Sequence, residues 1–194
     1  EVVLFPQEVL PLHIFESRYR IMLKSVLETD SRFGVVRWDP NGKKMASVGC
    51  CAQIIKHQTS DDGRSNVVTL GQQRFRVLEI TRTAPFSTAL ISWIDDEPVD
   101  DLSNLERLSH SVREALKDVV LLTGKLTDSQ AILPNSLPEM PRELSFWVAS
   151  HLGGQEVTNE QQHLLEITDT TQRLQREFNM LDHTRRELAA RTVL

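Results

Sequence analysis

The first half of the chain alternates short apolar and polar segments separated by turn signals, a pattern typical of β-strands. The turn sequences Asp-Pro-Asn-Gly at 39–42 and Ser-Asp-Asp-Gly at 60–63 divide this region. Within the last third of it, apolar side chains fall on both faces of a strand, which suits a closed or strongly curved sheet. The pattern predicts six strands, over residues 2–5, 33–39, 48–58, 66–70, 74–80 and 88–94.

One helix is predicted between these strands, over residues 15–28. Its apolar positions recur at helical spacing. They are Phe15, Tyr19, Met22 and Val26, with Leu23 and Leu27 beside them. Glu16 and Arg20 stand four residues apart on the polar side, where an ion pair is expected. We therefore interpret Glu16, and His13 just before the helix, as structural residues and not as metal ligands.

Residues 99–194 change to helical periodicity, with apolar residues at three- and four-residue spacing. They predict a small bundle of about four helices, with a connector over 128–136 between two of them. The last helix carries a heptad-like row of apolar residues at Leu174, Phe178, Leu181 and Leu188. The predicted fold class is α+β, with a β-rich subdomain over 1–98 and a helical bundle over 99–194.

Charge and cysteine content exclude several classes of protein. The formal net charge is -5, and residues 1–98 carry equal numbers of acidic and basic residues, so no net positive surface points to a nucleic-acid partner. No apolar run approaches the roughly 20 residues needed to span a bilayer, so no membrane partner is predicted. The two cysteines, Cys50 and Cys51, are adjacent, which predicts no disulfide framework and a reducing compartment.

Two stretches of the first half carry a family resemblance. Residues 2–23 include VVLFP, PLHIFE, RYR and ML, and residues 48–80 end in a strand with Gly-x-x-Arg-Phe-Arg at 71–76. Together they cover most of residues 1–98 in the family's order, and the chain resembles the LON substrate-binding domain family. It departs from the family pattern at Gln7, where a glycine is frequent after Phe-Pro.

The resemblance implies a curved, PUA-like β domain, or pseudo-barrel, followed by a helical bundle. In Lon proteases this amino-terminal region contacts protein substrates and contains neither the ATPase nor the peptidase. The sequence agrees, because its Gly124-Lys125 pair is followed by Leu126, whereas a phosphate-binding Walker motif requires Ser or Thr there. We therefore predict a stand-alone module that is not an enzyme, with no catalytic residue.

Large aromatic residues near strand ends are the candidates for a binding surface, because aromatic side chains are enriched at interface hot spots. The predicted protein-binding residues are Trp38, Phe86 and Trp93. Asp95, Asp96 and Glu97 form an acidic run without the alternating spacing of a calcium loop, and we interpret the run as a solvated linker. No metal site and no cofactor are predicted.

The predicted function is recognition of unfolded or extended polypeptide, or of a partner protein, with possible delivery to a protease or adaptor. The family resemblance suggests a bacterial cytoplasm, with a plastid as the alternative. Three other functions stay open at this point. They are a cysteine-dependent hydrolase using Cys50 or Cys51, a PUA-like nucleic-acid-binding domain, and a scaffold that binds a partner helix along the apolar row of the last helix.

Overall fold

The computed structural model describes residues 2–40, 42–127, 137–153 and 157–192, and the predicted connector over 128–136 lies outside the described residues. These ranges contain seven strands and five helices. In chain order they are β1 (Val9–Ile14), α1 (Ser17–Leu27), β2 (Arg32–Val35), β3 (Trp38–Asp39), β4 (Lys44–Met45), β5 (Val48–Thr59), β6 (Ser65–Arg82), β7 (Thr88–Ile94), α2 (Leu102–Thr127), α3 (Pro141–Ser150), α4 (Val157–Glu166) and α5 (Thr170–Thr192).

The chain divides into two compact units. The first, the sheet unit, comprises Glu1–Asp95 and Ala149–Glu166, and the second, the helical unit, comprises Asp96–Val148 and Ile167–Leu194. Helix α4 belongs to the sheet unit, where Gln162 Nε2 donates to the Val48 carbonyl over 3.1 Å. The division into domains at residues 98 and 99 stays a prediction.

The main sheet is antiparallel and five-stranded, with the order β1-β6-β5-β2 and with β7 also paired to β6. The long strand β6 pairs with β1 along its first part and with β7 along its second part. Strands β3 and β4 form a separate two-stranded sheet. Among the described strands the main sheet is therefore open, and the closed form of the predicted curved sheet is not present.

Three of the strand predictions are wrong around Gly71. The strands predicted at 66–70 and 74–80 are one continuous strand, β6, and residues 2–5 form no strand. A Cβ added at Gly71 would lie 1.9 Å from the Phe5 carbonyl oxygen, so the glycine lets the amino-terminal segment cross the strand at close range. Gln7 N–H donates to the Gly71 carbonyl over 2.8 Å and fixes this crossing.

Helix α1 covers one face of the sheet with a different stripe from the one predicted. Leu23 is buried, and Val26 and Leu27 pack with it on a core of strand residues. The core residues contributed by the strands are Ile14, Ile54 and Val67. Phe15 and Tyr19, which the sequence assigns to the apolar stripe, are both exposed. The reason is that the helix begins at Ser17, so Phe15 lies outside the helical register.

The helical unit is organised around a buried arginine. Arg173 on α5 is fully buried, and its guanidinium donates to Asp96 Oδ2 over 2.6 Å, to Ser145 Oγ over 2.8 Å and to the Ile167 carbonyl over 2.8 Å. Its Cζ lies 4.0 Å from the centroid of the Phe146 ring. These contacts join the segment before α2, helix α3 and helix α5. Asp96 is therefore a buried structural residue and not part of a solvated linker.

The apolar row of the last helix is largely buried inside this unit. Leu174 is fully buried and Leu181 is nearly so, and α5 packs along α2. A partner helix would have to displace these internal contacts, so the structure disfavours the scaffold alternative. Glu177, which lies between the two leucines, is also fully buried.

Candidate functional site

One face of the sheet exposes apolar side chains along β1. Burial alternates along this strand, as expected when only one face lies on a core. The register of β1 with β6 places its exposed residues directly beside partners on the same face. The set, which we call the outer sheet face, consists of Val9, Pro11 and His13 on β1, Leu70, Val68 and Asn66 on β6, and Phe15 beyond the end of β1.

Phe15 is the most prominent side chain of the outer sheet face. It is 58% exposed, and its ring stacks on His13 with centroids 5.9 Å apart and planes 23° apart. His13 Nδ1 in turn lies 2.7 Å from Asn66 Oδ1. Glu16, the residue before α1, keeps an extended backbone at φ -68° and ψ 135°, which separates Phe15 from the helix. An exposed aromatic ring is therefore held in place at the end of an apolar strand.

A groove lies between α1 and the turn that joins β5 to β6. We call it the α1 groove. It has a volume of about 570 Å³, within the ~300–1,000 Å³ range of ligand pockets. Its walls include Ile21, Leu23 and Leu27, and Arg20 and Lys24 lie among them. The groove is therefore mostly apolar but carries two cationic side chains.

Of the predicted binding residues, Trp93 and Phe86 belong to the hairpin formed by β6 and β7. Trp93 is 53% exposed, and its ring meets Phe75 edge-on with centroids 6.4 Å apart. Phe75 is buried against Gly34, where an added Cβ would lie 2.8 Å from its ring. Phe86 lies in the connection between the strands and is half-buried, with Arg82 over its ring at 4.8 Å. Both aromatic rings thus have structural neighbours.

Trp38 lies apart from these two residues in the fold. It is 50% exposed and pairs with Met45 in the small sheet of β3 and β4. No described ring contact joins Trp38, Phe86 and Trp93 to one another. The structure therefore places the three predicted residues on two separate hairpins, and a single binding site formed by all three stays a prediction.

The two cysteines lack the environment of a nucleophile. Burial raises the pKa of Cys50 to about 12, and its Sγ donates to the Gln72 carbonyl over 3.4 Å. Burial also raises the pKa of Cys51, which borders a small cavity of about 290 Å³ beside Trp93. A nucleophilic cysteine needs the opposite shift, toward the thiolate. His57 and His13 are both exposed and make no described contact with either thiol, so neither is placed as a general base.

Across the part of the chain that the structure describes, no group of three or more His, Cys, Asp or Glu side chains is placed to hold a metal ion. None of the helices in those ranges is both long enough and apolar enough to cross a membrane.

The family model of the ATP-dependent protease La (LON) substrate-binding domain matches residues 1–183. The chain belongs to this family. The predicted family resemblance is thereby confirmed, and the matched model describes the substrate-binding part of Lon and not a catalytic part.

Curated relatives and solved structures agree with this assignment. The chain is 25% identical to Lon protease 2 of Myxococcus xanthus over 189 residues and 29% identical to the Lon protease of Geobacter metallireducens over 188 residues. These matches cover 94% and 91% of the chain but only 22% of each relative. The LON chain thus spans about a fifth of the length of the curated relatives it matches.

Two solved structures of Lon amino-terminal domains have the same fold. A Lon N-terminal domain protein from Xanthomonas campestris matches with a TM-score of 0.63 at 24% identity, covering 90% of each chain. The N-terminal domain of a Mycobacterium avium complex Lon protease matches with a TM-score of 0.65 at 15% identity, covering 94% of each chain. The predicted α+β fold class is confirmed.

The sequence analysis did not identify the outer sheet face. The sequence gives no alternation of apolar and polar residues there, because residues 9–12 are all apolar and the exposed and buried faces of β1 look alike. The prolines at 6 and 11 also argue against a strand, since proline interrupts central strands. Pro11 is compatible with β1 because this strand ends the sheet.

Proposed function

We propose that this LON domain binds extended or partly unfolded polypeptide, and that the outer sheet face is its main contact surface. The observation that carries the proposal is the exposed Phe15 ring, held by His13 next to exposed Val9 and Pro11. Contiguous exposed apolar side chains on a folded protein mark interaction sites. Membership in a substrate-binding domain family supports a polypeptide as the ligand of this surface.

The sheet also supplies a backbone contact. Strand β1 ends the sheet and pairs with β6 alone among the described strands. An extended chain can pair with such an edge through main-chain hydrogen bonds, while its side chains contact the neighbouring apolar face. Main-chain pairing does not depend on the sequence of the bound chain. We therefore expect this contact to bind many unfolded chains with little selectivity among them.

Trp38, Phe86 and Trp93 are proposed as secondary contacts. Trp38 and Trp93 are each about half-exposed, so they can lose further area to a bound chain. Phe86 is covered in part by Arg82, so we expect it to contribute least.

We also propose that the module acts by itself, without catalysis, and passes the captured polypeptide to a protease or an adaptor. The relatives named above are bacterial, which favours the bacterial cytoplasm over a plastid as its location. The cysteine hydrolase alternative is disfavoured by the buried thiols with raised pKa.

The test is fluorescence anisotropy with a labelled, permanently unfolded polypeptide and a folded control of matched length and net charge. We expect saturable binding of the unfolded chain that largely survives 0.5 M salt, because apolar burial is not screened. A nucleic-acid-binding domain would instead show binding to an oligonucleotide that falls steeply with salt. Equal binding of the folded and unfolded chains, or none at hundreds of micromolar, would contradict the proposal.

A further inference from the structure

The α1 groove combines an apolar floor with two cations that have no acidic partner among the described residues. Glu16, the expected partner of Arg20, instead pairs with Arg18 over 2.8 Å. Asp62, on the turn opposite α1, pairs with Arg64 over 3.2 Å. The side chains of Arg20 and Lys24 make no ion pair and no hydrogen bond in the described part of the chain, and both line the groove.

These two cations are placed unfavourably unless an anion joins them. Arg20 and Lys24 stand four residues apart on α1, so they lie on the same face one turn from each other. Like charges at this spacing destabilise a helix. Lys24 also lies in the last turn, where the helix dipole favours a cation. Arg20 lies outside the last turn and has no such favourable interaction with the dipole.

Arg20 is also held in a defined position. Gly63 has a backbone φ of +79°, and a Cβ added there would lie 2.0 Å from Arg20 Nη2. The guanidinium therefore packs directly on the backbone of the turn and closes one side of the groove. This contact places the charge of Arg20 at the wall of the groove.

The groove and the outer sheet face are close to each other along the chain. Ser17, which lines the groove, follows Phe15 of the outer sheet face by two residues, and two residues of chain span at most about 7 Å. Ile21, which is 52% exposed, offers apolar contact inside the groove.

We infer that the α1 groove selects polypeptide segments in which a large apolar side chain is followed within one or two residues by Asp or Glu. The apolar side chain packs against Ile21, Leu23 and Leu27, and the carboxylate binds Arg20 and Lys24. This inference rests on the proposed function and adds a sequence preference to it. Charge complementarity decides the occupant, because a neutral apolar segment would leave both cations unpaired.

The test compares three labelled peptides by fluorescence anisotropy with the whole protein. One carries Phe-Leu-Asp-Asp and an amidated end, the second carries Phe-Leu-Asn-Asn and an amidated end, and the third carries Phe-Leu-Asn-Asn with a free carboxyl end. We expect the first to bind about three- to tenfold more tightly than the second at low salt, since partly exposed charge pairs contribute modestly. The difference should shrink as salt rises.

Variants assign the effect to the groove. In R20Q/K24Q the preference for the aspartate peptide should disappear, while the affinity for the asparagine peptide should change little. The control K125Q/R191Q removes two cations from the last turns of α2 and α5 in the helical unit and should keep the preference.

The other outcomes distinguish a failure of the charge preference from a failure of the proposed function. Equal binding of the aspartate and asparagine peptides would overturn the charge preference and leave the proposed function intact. A gain confined to the free carboxyl end would overturn the side-chain assignment. Loss of binding for all three peptides and for the unfolded polypeptide would overturn the proposed function itself.

Discussion

The guanidinium of Arg173 donates to Asp96 Oδ2 over 2.6 Å, and the arginine side chain is fully buried while that of the aspartate is 8% exposed. Replacing Arg173 by Met would remove the buried cation from the Asp96 carboxylate, which would keep the Thr170 hydroxyl at 2.7 Å and the half-exposed Arg142 at 3.5 Å. Breaking a buried pair on one side typically costs about 3–5 kcal/mol. We expect a loss of that size in the free energy of unfolding, measured by urea denaturation.

The matched control for this pair is Arg142→Gln. Its side chain is 48% exposed, so we expect a loss of about 1 kcal/mol or less. Similar losses for both variants would show that the Arg173 contacts are not the organising feature of the helical unit.

The buried carboxyl of Glu177 should give the free energy of unfolding an unusual pH dependence. Its carboxyl oxygens have no hydrogen-bond partner among the described residues, and burial raises its pKa well above the usual value, with only a partial opposing effect from Arg173. The folded state therefore holds a proton that the unfolded state releases above about pH 4.5. From that pH upward, stability should fall by up to about 1.4 kcal/mol per pH unit until the folded pKa is reached.

Glu177→Gln removes this proton exchange. We expect the variant to gain stability over the wild type as pH rises from 4 to 7, and to match it most closely at the acid end, in urea titrations at fixed pH values. Glu106→Gln, at an exposed position of α2, should leave the wild-type pH dependence unchanged. A wild-type profile that is unaffected by Glu177→Gln would contradict the assignment.

Gly63, which is half-buried, should be less tolerant of alanine than the exposed Gly153. Its positive φ costs an L-residue about 1–2 kcal/mol, and the new Cβ would displace the Arg20 guanidinium from the turn. Gly153→Ala is the control, because an added Cβ there meets no atom within 4 Å. We expect a measurable loss of stability and of the preference for acidic peptides in Gly63→Ala only. Equal effects of the two substitutions would contradict the positioning of Arg20.

The buried cysteines should react slowly in the folded protein. Because burial raises the pKa of both thiols, to about 12 for Cys50, little thiolate is present near pH 7.5. We expect iodoacetamide to modify the native chain far more slowly than the urea-unfolded chain, as followed by mass spectrometry. Rapid modification of one thiol in the native protein would revive the hydrolase alternative.

Local pattern was sufficient for the family resemblance, for the helices and for strands β5 and β7. The apolar segments of β5 and β7 and the helical spacing of α2 are properties of neighbouring residues, so they are visible in the sequence. The β6 strand was divided wrongly at Gly71 because the reason for that glycine is a distant segment, the Phe5 backbone. A close approach of this kind has no local signature.

The candidate site was harder to predict for a related reason. Phe15 was assigned to a buried helical stripe, but an extended Glu16 begins the helix two residues later than the periodicity suggests and turns Phe15 outward. Asp96 looked like part of an acidic surface run, and only its buried partner Arg173, 77 residues away, gives it a role. Which of several exposed aromatic residues form one surface depends on such long-range pairings.

The most direct test of the proposed polypeptide surface is an NMR titration of the isotopically labelled protein with an unfolded polypeptide. The account predicts that amide shifts move first and furthest in β1 and around Phe15, and that Phe15→Ser weakens binding several-fold. Leu121→Ser, at an exposed apolar position of α2, should leave binding unchanged. Shifts confined to α2 and α5, or equal binding by the two variants, would contradict a polypeptide-binding role for the outer sheet face.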